Sequence, residues 1–482
     1  MNLVTRRRFC RGAAAAVGGL LLPVHAVGTG GKRLLRMGVL SDVHLGPKGS
    51  DELFLKELKY LDSQKVELVL FPGDLVDCGR ISNMERFVAC WERVFPRGIA
   101  ADGRKVDRVV VTGNHDYSLK GWDAYWKNFS QEEQERDRFY YKDNHLKTWE
   151  RLFGEKWELV WKREIRGITF IGAQYEWAVK PPIEEFFKAH GHEIDPSKPL
   201  IYVQHAHPVN TCHGEAAIEG GAVDSGAAGA ALARFPNAIA FSGHSHLPLT
   251  DDRAVWQGAF TSIGCGCAGK VATLGNGKRR VNAGDPWGEC VTRLMPSIPN
   301  YFGNCAGMVV DLFADHLVIH RRSFAYDEPI GADWTVPLPA AADGPYDFTR
   351  HLRAGKAPEF AADATLAFEY CEKAPQTAGT DFRGKKPCYR LTFPSAKAAG
   401  GSRVCDYEIK ASVKGREAYR CELFSAGYHL PETRAAVREE LLIGIDDLPG
   451  GSVISFTVMP RDCYGNQGRA LTADFRTPRL NA

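Results

Sequence analysis

The chain lacks a long apolar run, a surplus of one charge, and a second cysteine pair at zinc-finger spacing, and each absence removes a class of function. A membrane-spanning helix needs roughly 20 apolar residues in succession. The uncharged stretch from Gly12 to Val24 is too short for that, so no transmembrane helix is expected in the mature chain. A formal charge of +3 spread over 482 residues implies no nucleic-acid or membrane partner. Cys265 and Cys267 form a Cys-x-Cys with no second pair to complete a metal knot, so packed thiols explain them better than a thiolate site. There are 13 cysteines, one of them Cys10 in the N-terminal segment. The even remainder permits disulfides without demanding them, and Cys371, Cys388, Cys405, Cys421 and Cys463 all fall in the last quarter.

The length exceeds what one hydrophobic core organises, so two domains and a targeting segment are expected. The targeting segment is residues 1–26. Arg6, Arg7 and Arg8 precede the short uncharged stretch, and Val24, His25 and Ala26 form a small-residue cleavage site. Together they resemble a twin-arginine secretory signal, which implies export to the periplasm or the medium with the mature chain starting near Val27. A basic tail or an uncleaved anchor is the alternative. The domains that follow are expected at 34–330 and 345–482.

From Leu34 to about Phe324, short apolar β-prone runs alternate with longer polar or helix-prone stretches, the pattern of an α/β domain. Strands are expected at Leu34 to Leu40, Val66 to Phe71, Val106 to Val111, Ile168 to Ile171, Leu200 to Val203 and Ala238 to Phe241, with a hairpin from Met308 to Ile319. Several are apolar throughout, as when helices cover both sheet faces. The insert from Tyr117 to Lys162 carries Trp122, Trp126, Tyr140, Tyr141, Trp149 and Trp157 and reads as helical. Its aromatics either pack a core or line a substrate cleft. Around Trp334 to Ala342 the composition turns to Pro, Ala, Gly and Asp, a linker signal. Beyond it, alternating segments such as Cys405, Tyr407, Ile409 and Ile454, Phe456, Val458 make about seven strands, the number of a small β-sandwich. Leu448-Pro449-Gly450 and Tyr464-Gly465-Asn466 loosely resemble a fibronectin type III or Ig-like module.

Five polar clusters stand where apolar runs end: Asp42-Val43-His44, Gly73-Asp74, Gly113-Asn114-His115-Asp116, His205-Ala206-His207 and Gly243-His244-Ser245-His246. Ligands gather at the carboxyl ends of strands in open α/β sheets, so the placement itself points to a site. One such cluster alone is commonplace. Five in order, offering carboxylate, amide and imidazole donors, suit two Mn, Fe or Zn ions of divalent or trivalent charge and exclude a thiolate centre.

This order of motifs resembles the calcineurin-like metallophosphoesterases, over roughly Arg36 to Arg322. The resemblance implies a four-layer α-β-β-α sandwich, with the smaller all-β domain beyond it, and hydrolysis of a small phosphate ester at a dinuclear metal centre. It also implies that Asp42, His44 and His246 hold one ion and that Asn114, His205 and His244 hold the other. Asp74 would bridge them, as two-metal phosphoryl chemistry requires. His205 directly follows its strand and is preferred as ligand, leaving His207 to support it or to contact phosphate. His115, flanked by Asn114 and by Asp116, whose carboxylate would orient the ring and favour its protonated form, is the expected proton donor to the leaving group, and Asn114 also holds the phosphate oxygens. Arg253 either clamps the phosphate or pairs with a carboxylate. Asp77 stands where purple acid phosphatases carry a tyrosine ligand. Cys78 stands where protein Ser/Thr phosphatases carry an arginine, and Asp116 replaces their glutamate, which favours phosphodiesters over monoesters. The alternative is a metal-binding protein on the same fold with weak or no turnover. The β-sandwich would position the enzyme or contact a partner.

Overall fold

The computed structural model describes residues 31–46, 48–117, 126–175, 181–214, 217–218, 221–269, 305–348, 357–373, 387–398, 403–434 and 437–479. The signal segment, Trp122 and the part of the post-histidine segment at 270–304 lie outside these residues.

In chain order the α/β part contains β1 (Leu35–Val39), α1 (Ser50–Ser63), β2 (Leu68–Pro72), α2 (Ile81–Val94), β3 (Asp107–Val111), α3 (Asn114–Tyr117), α4 (Gln131–Asp137) and α5 (Asn144–Phe153). It continues with β4 (Val160–Ile165), β5 (Ile168–Ala173), α6 (Ile183–His190), β6 (Leu200–Val203), α7 (Ala227–Leu232), β7 (Ala238–Ser242), β8 (Val255–Gln257) and β9 (Thr261–Gly264). The last strands are β10 (Ala306–Leu312), β11 (His316–Ser323), β12 (Glu328–Pro329) and β13 (Trp334–Pro337). One sheet runs β12-β11-β10-β1-β2-β3 with β13 on β11, and the other runs β4-β5-β6-β7-β9-β8.

The two sheets face each other. Met37, Leu70 and Val111 from the first pack with Phe170, Val203 and Phe241 from the second in one buried core. The reverse face of the first sheet, with Val69, Phe71 and Val110, is covered by Phe54 and Leu58 of α1 and Phe87 and Trp91 of α2. The reverse face of the second, with Ile171 and Tyr202, is covered by Phe187 of α6 and Leu232 of α7. The result is the expected α-β-β-α sandwich, and its doubly covered central strands explain why those runs are apolar throughout.

Two expectations are corrected, and the insert aromatics take the first of their two expected roles. The insert is helical only in part, since its end enters β4, whose Lys162 pairs with Ile171 of β5. Trp334 to Pro337, read as linker from composition, forms β13 because Val336 and Trp334 bury against the inter-sheet core. The insert aromatics Trp126 and Trp149 are buried, Trp149 in the outer core beside α2, so packing explains them.

The C-terminal region holds β14 (Ala367–Cys371), β15 (Cys388–Pro394), β16 (Val404–Val413), β17 (Arg416–Phe424), β18 (Arg438–Gly444), β19 (Val453–Asp462) and β20 (Leu471–Arg476). They form a three-stranded sheet, β14-β15-β18, and a four-stranded sheet, β17-β16-β19-β20. Tyr389, Leu391 and Ile443 from one and Tyr407, Ile409 and Phe456 from the other share a single core. This all-β unit docks on the α/β part. Tyr428 Oη donates to Asp251 Oδ2 at 3.0 Å, and Arg403 N donates to Asp252 Oδ2 at 3.0 Å.

Candidate metal centre

The five clusters converge at one rim of the sandwich because β1, β2 and β3 of one sheet and β6 and β7 of the other end together. Loop backbones hold the rim shut: Asp42 N donates to Gly73 O at 3.1 Å, His44 N to Asp74 O at 3.0 Å and Gly243 N to His205 O at 2.8 Å. The approach is tight enough to require glycine. A Cβ on Gly113 would stand 2.1 Å from Asp74 Oδ1, and one on Gly243 would stand 2.2 Å from Asp42 Oδ2. Asp42, His44, Asp74, His244 and His246 all have positive φ, between 48° and 69°. Left-handed backbone at non-glycine residues is unfavourable and persists where the surroundings impose it, typically at functional sites.

Two groups of donor atoms result. In the first, His44 Nε2 lies 3.1 Å from His246 Nε2 and 3.5 Å from Asp74 Oδ2, and His246 Nε2 lies 2.9 Å from Asp42 Oδ1. In the second, His205 Nε2 lies 2.9 Å from Asn114 Oδ1 and 3.2 Å from Asp74 Oδ2. Asp42, His44, Asp74 and His246 could hold one metal ion, and Asp74, His205 and His244 another. Asp74 belongs to both groups.

The outer atoms of these side chains are already committed, which aims the inner ones at the centre. Asp42 Oδ2 accepts from Ser41 Oγ at 2.6 Å, and both Asp42 oxygens accept from His244 N at 3.1 Å. Asp74 Oδ1 accepts from His115 N at 2.8 Å. His205 Nδ1 donates to Pro72 O at 2.9 Å, which aims its Nε2 at the centre. Asp74 Oδ2 is buried and, among the described residues, has no hydrogen-bond partner of proper geometry. A buried orphan carboxylate oxygen among imidazoles is costly unless a cation satisfies it, so the residues fit a metal pair. Burial pushes the His244 imidazole down to about 3, with His205 adding to it, so that His244 is a neutral donor. Burial opposes ionisation of Asp42, but His246 and His205 outweigh it and hold that carboxyl down at about 2.

His115 and Asp116 separate. His115 is half-buried and its Nδ1 lies 2.8 Å from Asp77 Oδ1, not beside Asp116. Burial alone would lower its pKa, yet Asp74 and Asp77 together raise it. Asp116 is buried and accepts from Gly113 N at 2.8 Å, Val76 N at 2.9 Å and Leu75 N at 3.1 Å. The expectation that Asp116 orients His115 is therefore corrected: Asp116 ties two ligand loops together and Asp77 is the partner. Sequence offered a signal for this, since Asp77 follows Asp74 by three residues.

Of the two readings given for His207 and for Arg253, the phosphate contact does not hold in either case. His207 is buried between hydroxyls, 2.7 Å from Ser242 Oγ and 2.8 Å from Ser245 Oγ, so it supports the rim rather than meeting phosphate. Arg253 is 4% exposed and donates from Nη2 to Asp251 Oδ2 at 2.7 Å. Its guanidinium is spent in the contact with the β-sandwich, because the same carboxylate oxygen accepts from Tyr428. Residues not anticipated are Tyr175, whose ring centroid lies 5.8 Å from that of His205, and Gln174 beside it.

The fold and site define a two-sheet α/β sandwich whose rim carries clustered carboxylates and imidazoles that could hold metal ions. Residues 35–248 match the family model of the calcineurin-like phosphoesterases. No curated protein sequence matches the chain. Among solved structures, similarity extends to a dimetal phosphatase from Danio rerio, at 12% identity and TM-score 0.35 over 64% of this chain and 99% of that one. GAP50, the anchor in the inner membrane complex of Plasmodium, is similar at 12% identity and TM-score 0.35, over 63% of this chain and 88% of that one. Vacuolar Protein Sorting 29 from Cryptosporidium parvum is similar at 11% identity and TM-score 0.27, over 63% of this chain and 95% of that one.

Proposed function

We propose that the protein is an exported two-metal hydrolase of phosphate esters, with diesters favoured over monoesters. The observation that carries this reading is Asp74 Oδ2, which stands 3.5 Å from His44 Nε2 on one side and 3.2 Å from His205 Nε2 on the other, as a shared ligand between two cation sites must. Asp42, His44 and His246 would hold one ion, and Asn114, His205 and His244 the other. When bound, the pair supplies Lewis acidity for hydrolysis at phosphorus and neutralises charge on the phosphate. The rest falls to side chains. The Asp77 carboxylate fixes the His115 ring and favours its protonated form, which suits it to give a proton to the departing alkoxide. Asn114, at the start of α3, presents its amide to the same centre.

Export rests on the twin-arginine-like segment 1–26, and the domain limits 34–330 and 345–482 belong to the same proposal. Among the described residues no helix is long and apolar enough to cross a membrane. The docking of Tyr428 and Arg403 supports a positioning role for the β-sandwich. The test is hydrolysis of an aryl phosphodiester and the matching monoester by full-length protein with added Mn²⁺. Turnover of both, faster for the diester and abolished by a chelator, is expected. Two bound metals without turnover of either ester would leave a metal-binding protein instead.

A further inference from the structure

Beside the metal centre lies a cavity of about 460 Å³ that shares His205 with it. Such a volume lies within the range of small-molecule sites, about 300–1,000 Å³. The Tyr175 ring stands at the junction, 5.8 Å from His205 and 6.1 Å from His244 by ring centroids. Ile183 and Ala227, from the first turns of α6 and α7, give the wall apolar surface.

Two polar groups in the wall restrict what enters. Asp224 is held in place by backbone N–H groups, accepting from Gly226 N at 2.9 Å, Val209 N at 3.0 Å and Ala228 N at 3.2 Å. A fixed carboxylate disfavours an anionic group nearby. Gln174 is 1% exposed, and its Oε1 accepts from Thr112 N at 2.8 Å. A backbone N–H can only donate, so the amide cannot be turned round. Its Nε2 is therefore a buried donor, and it has no hydrogen-bond partner among the described residues. A stranded donor of this kind is costly and is relieved by a ligand that brings an acceptor.

We infer that this cavity receives the alcohol part of the ester, and that the preferred substrate is a phosphate ester whose alcohol is uncharged, largely apolar and carries a hydrogen-bond acceptor for Gln174. The inference rests on the phosphoesterase reading above and narrows it. Esters with a second phosphate or a carboxylate on the alcohol are disfavoured by Asp224.

The test uses the full-length protein with Mn²⁺ and three diesters: methyl para-acetylphenyl phosphate, its anionic counterpart methyl para-carboxyphenyl phosphate, and dimethyl phosphate. Wild type should favour the acetyl over the carboxy ester by about tenfold or more in kcat/KM, the effect of one mismatched buried polar group. Ala227→Phe, which fills the cavity, and Gln174→Glu, which turns the donor into an acceptor, should each lower the ratio of acetylphenyl to dimethyl ester by about tenfold. Calorimetry with the alcohol alone, para-hydroxyacetophenone, gives a readout free of turnover: binding by wild type and loss in both variants is expected. Equal rates on the two aryl esters, or unchanged ratios and binding in the variants, would overturn the pocket assignment. If no ester is hydrolysed, the phosphoesterase reading fails, and the calorimetry alone then decides the cavity.

Discussion

His115 and Asp77 form a 2.8 Å pair between Nδ1 and Oδ1, while the sequence neighbour Asp116 turns its carboxylate to three backbone amides. Asp77 Oδ1 also lies 3.7 Å from His44 Nδ1, so one carboxylate backs both the proposed proton donor and a proposed metal ligand.

Separate consequences follow for the two residues. His115→Ala should lower turnover by about 10²- to 10⁴-fold, the range for lost acid–base catalysis, with little change in metal content. Asp77→Asn should lower activity by about 10- to 100-fold and weaken metal retention as well, because it also supports His44. The pH–rate profile should lose its alkaline limb in His115→Ala, and the limb should move to lower pH in Asp77→Asn, because Asp77 raises the His115 pKa. Full turnover of an unactivated diester by His115→Ala would refute the proton-donor role.

Arg253 is a structural residue. Its guanidinium and the Asp251 carboxylate are both buried, and Tyr428 of the β-sandwich completes the group. Removing one partner strands a buried charge, so Arg253→Met should cost about 3–5 kcal/mol of stability. Replacing both, with Arg253→Met and Asp251→Leu, should recover part of the loss. Thermal unfolding measures this, and kcat/KM of the folded fraction should stay near wild type. An intact Tm with a raised KM would instead mark Arg253 as a phosphate contact.

The all-β unit should show a pH dependence of its own. Burial pushes Glu439 up to about 7, against Ser395, Ala426 and Tyr407 groups that stabilise its charge. A raised folded pKa means that the folded state holds the proton where the unfolded chain has released it. Stability is thus full below the ordinary value of 4.5 and falls as pH rises towards 7. The slope is about 1.4 kcal/mol per pH unit in that window. Glu439→Gln should flatten the fall, read as Tm between acid and neutral pH. An equal slope in wild type and variant would contradict it.

The parts of the molecule legible in sequence are those with strong local pattern. The central strands β1, β2, β6 and β7 are short, apolar and followed at once by polar clusters, because the sheet is covered on both faces and its rim carries the site. Strand β4 was hidden because its sequence, Val160 to Ile165, mixes charged and apolar residues at a sheet edge. Trp334 to Pro337 resembled a linker by composition, yet pairing with β11 buries it. In the site, donor type and strand-end placement pointed to the ligand residues. The partner of His115 did not follow, since it depends on how two separate loops meet. Gln174 gave no signal at all, because its unpaired amide exists only once Thr112 has taken the other end.

Anomalous diffraction from crystals of the full-length protein grown with Mn²⁺ tests the dinuclear centre most directly. Two peaks are expected, one on each side of Asp74 Oδ2, the first touching Asp42, His44 and His246 and the second touching Asn114, His205 and His244. A single ion away from Asp74, or none despite saturating metal, would contradict the shared-carboxylate centre and the hydrolase built on it.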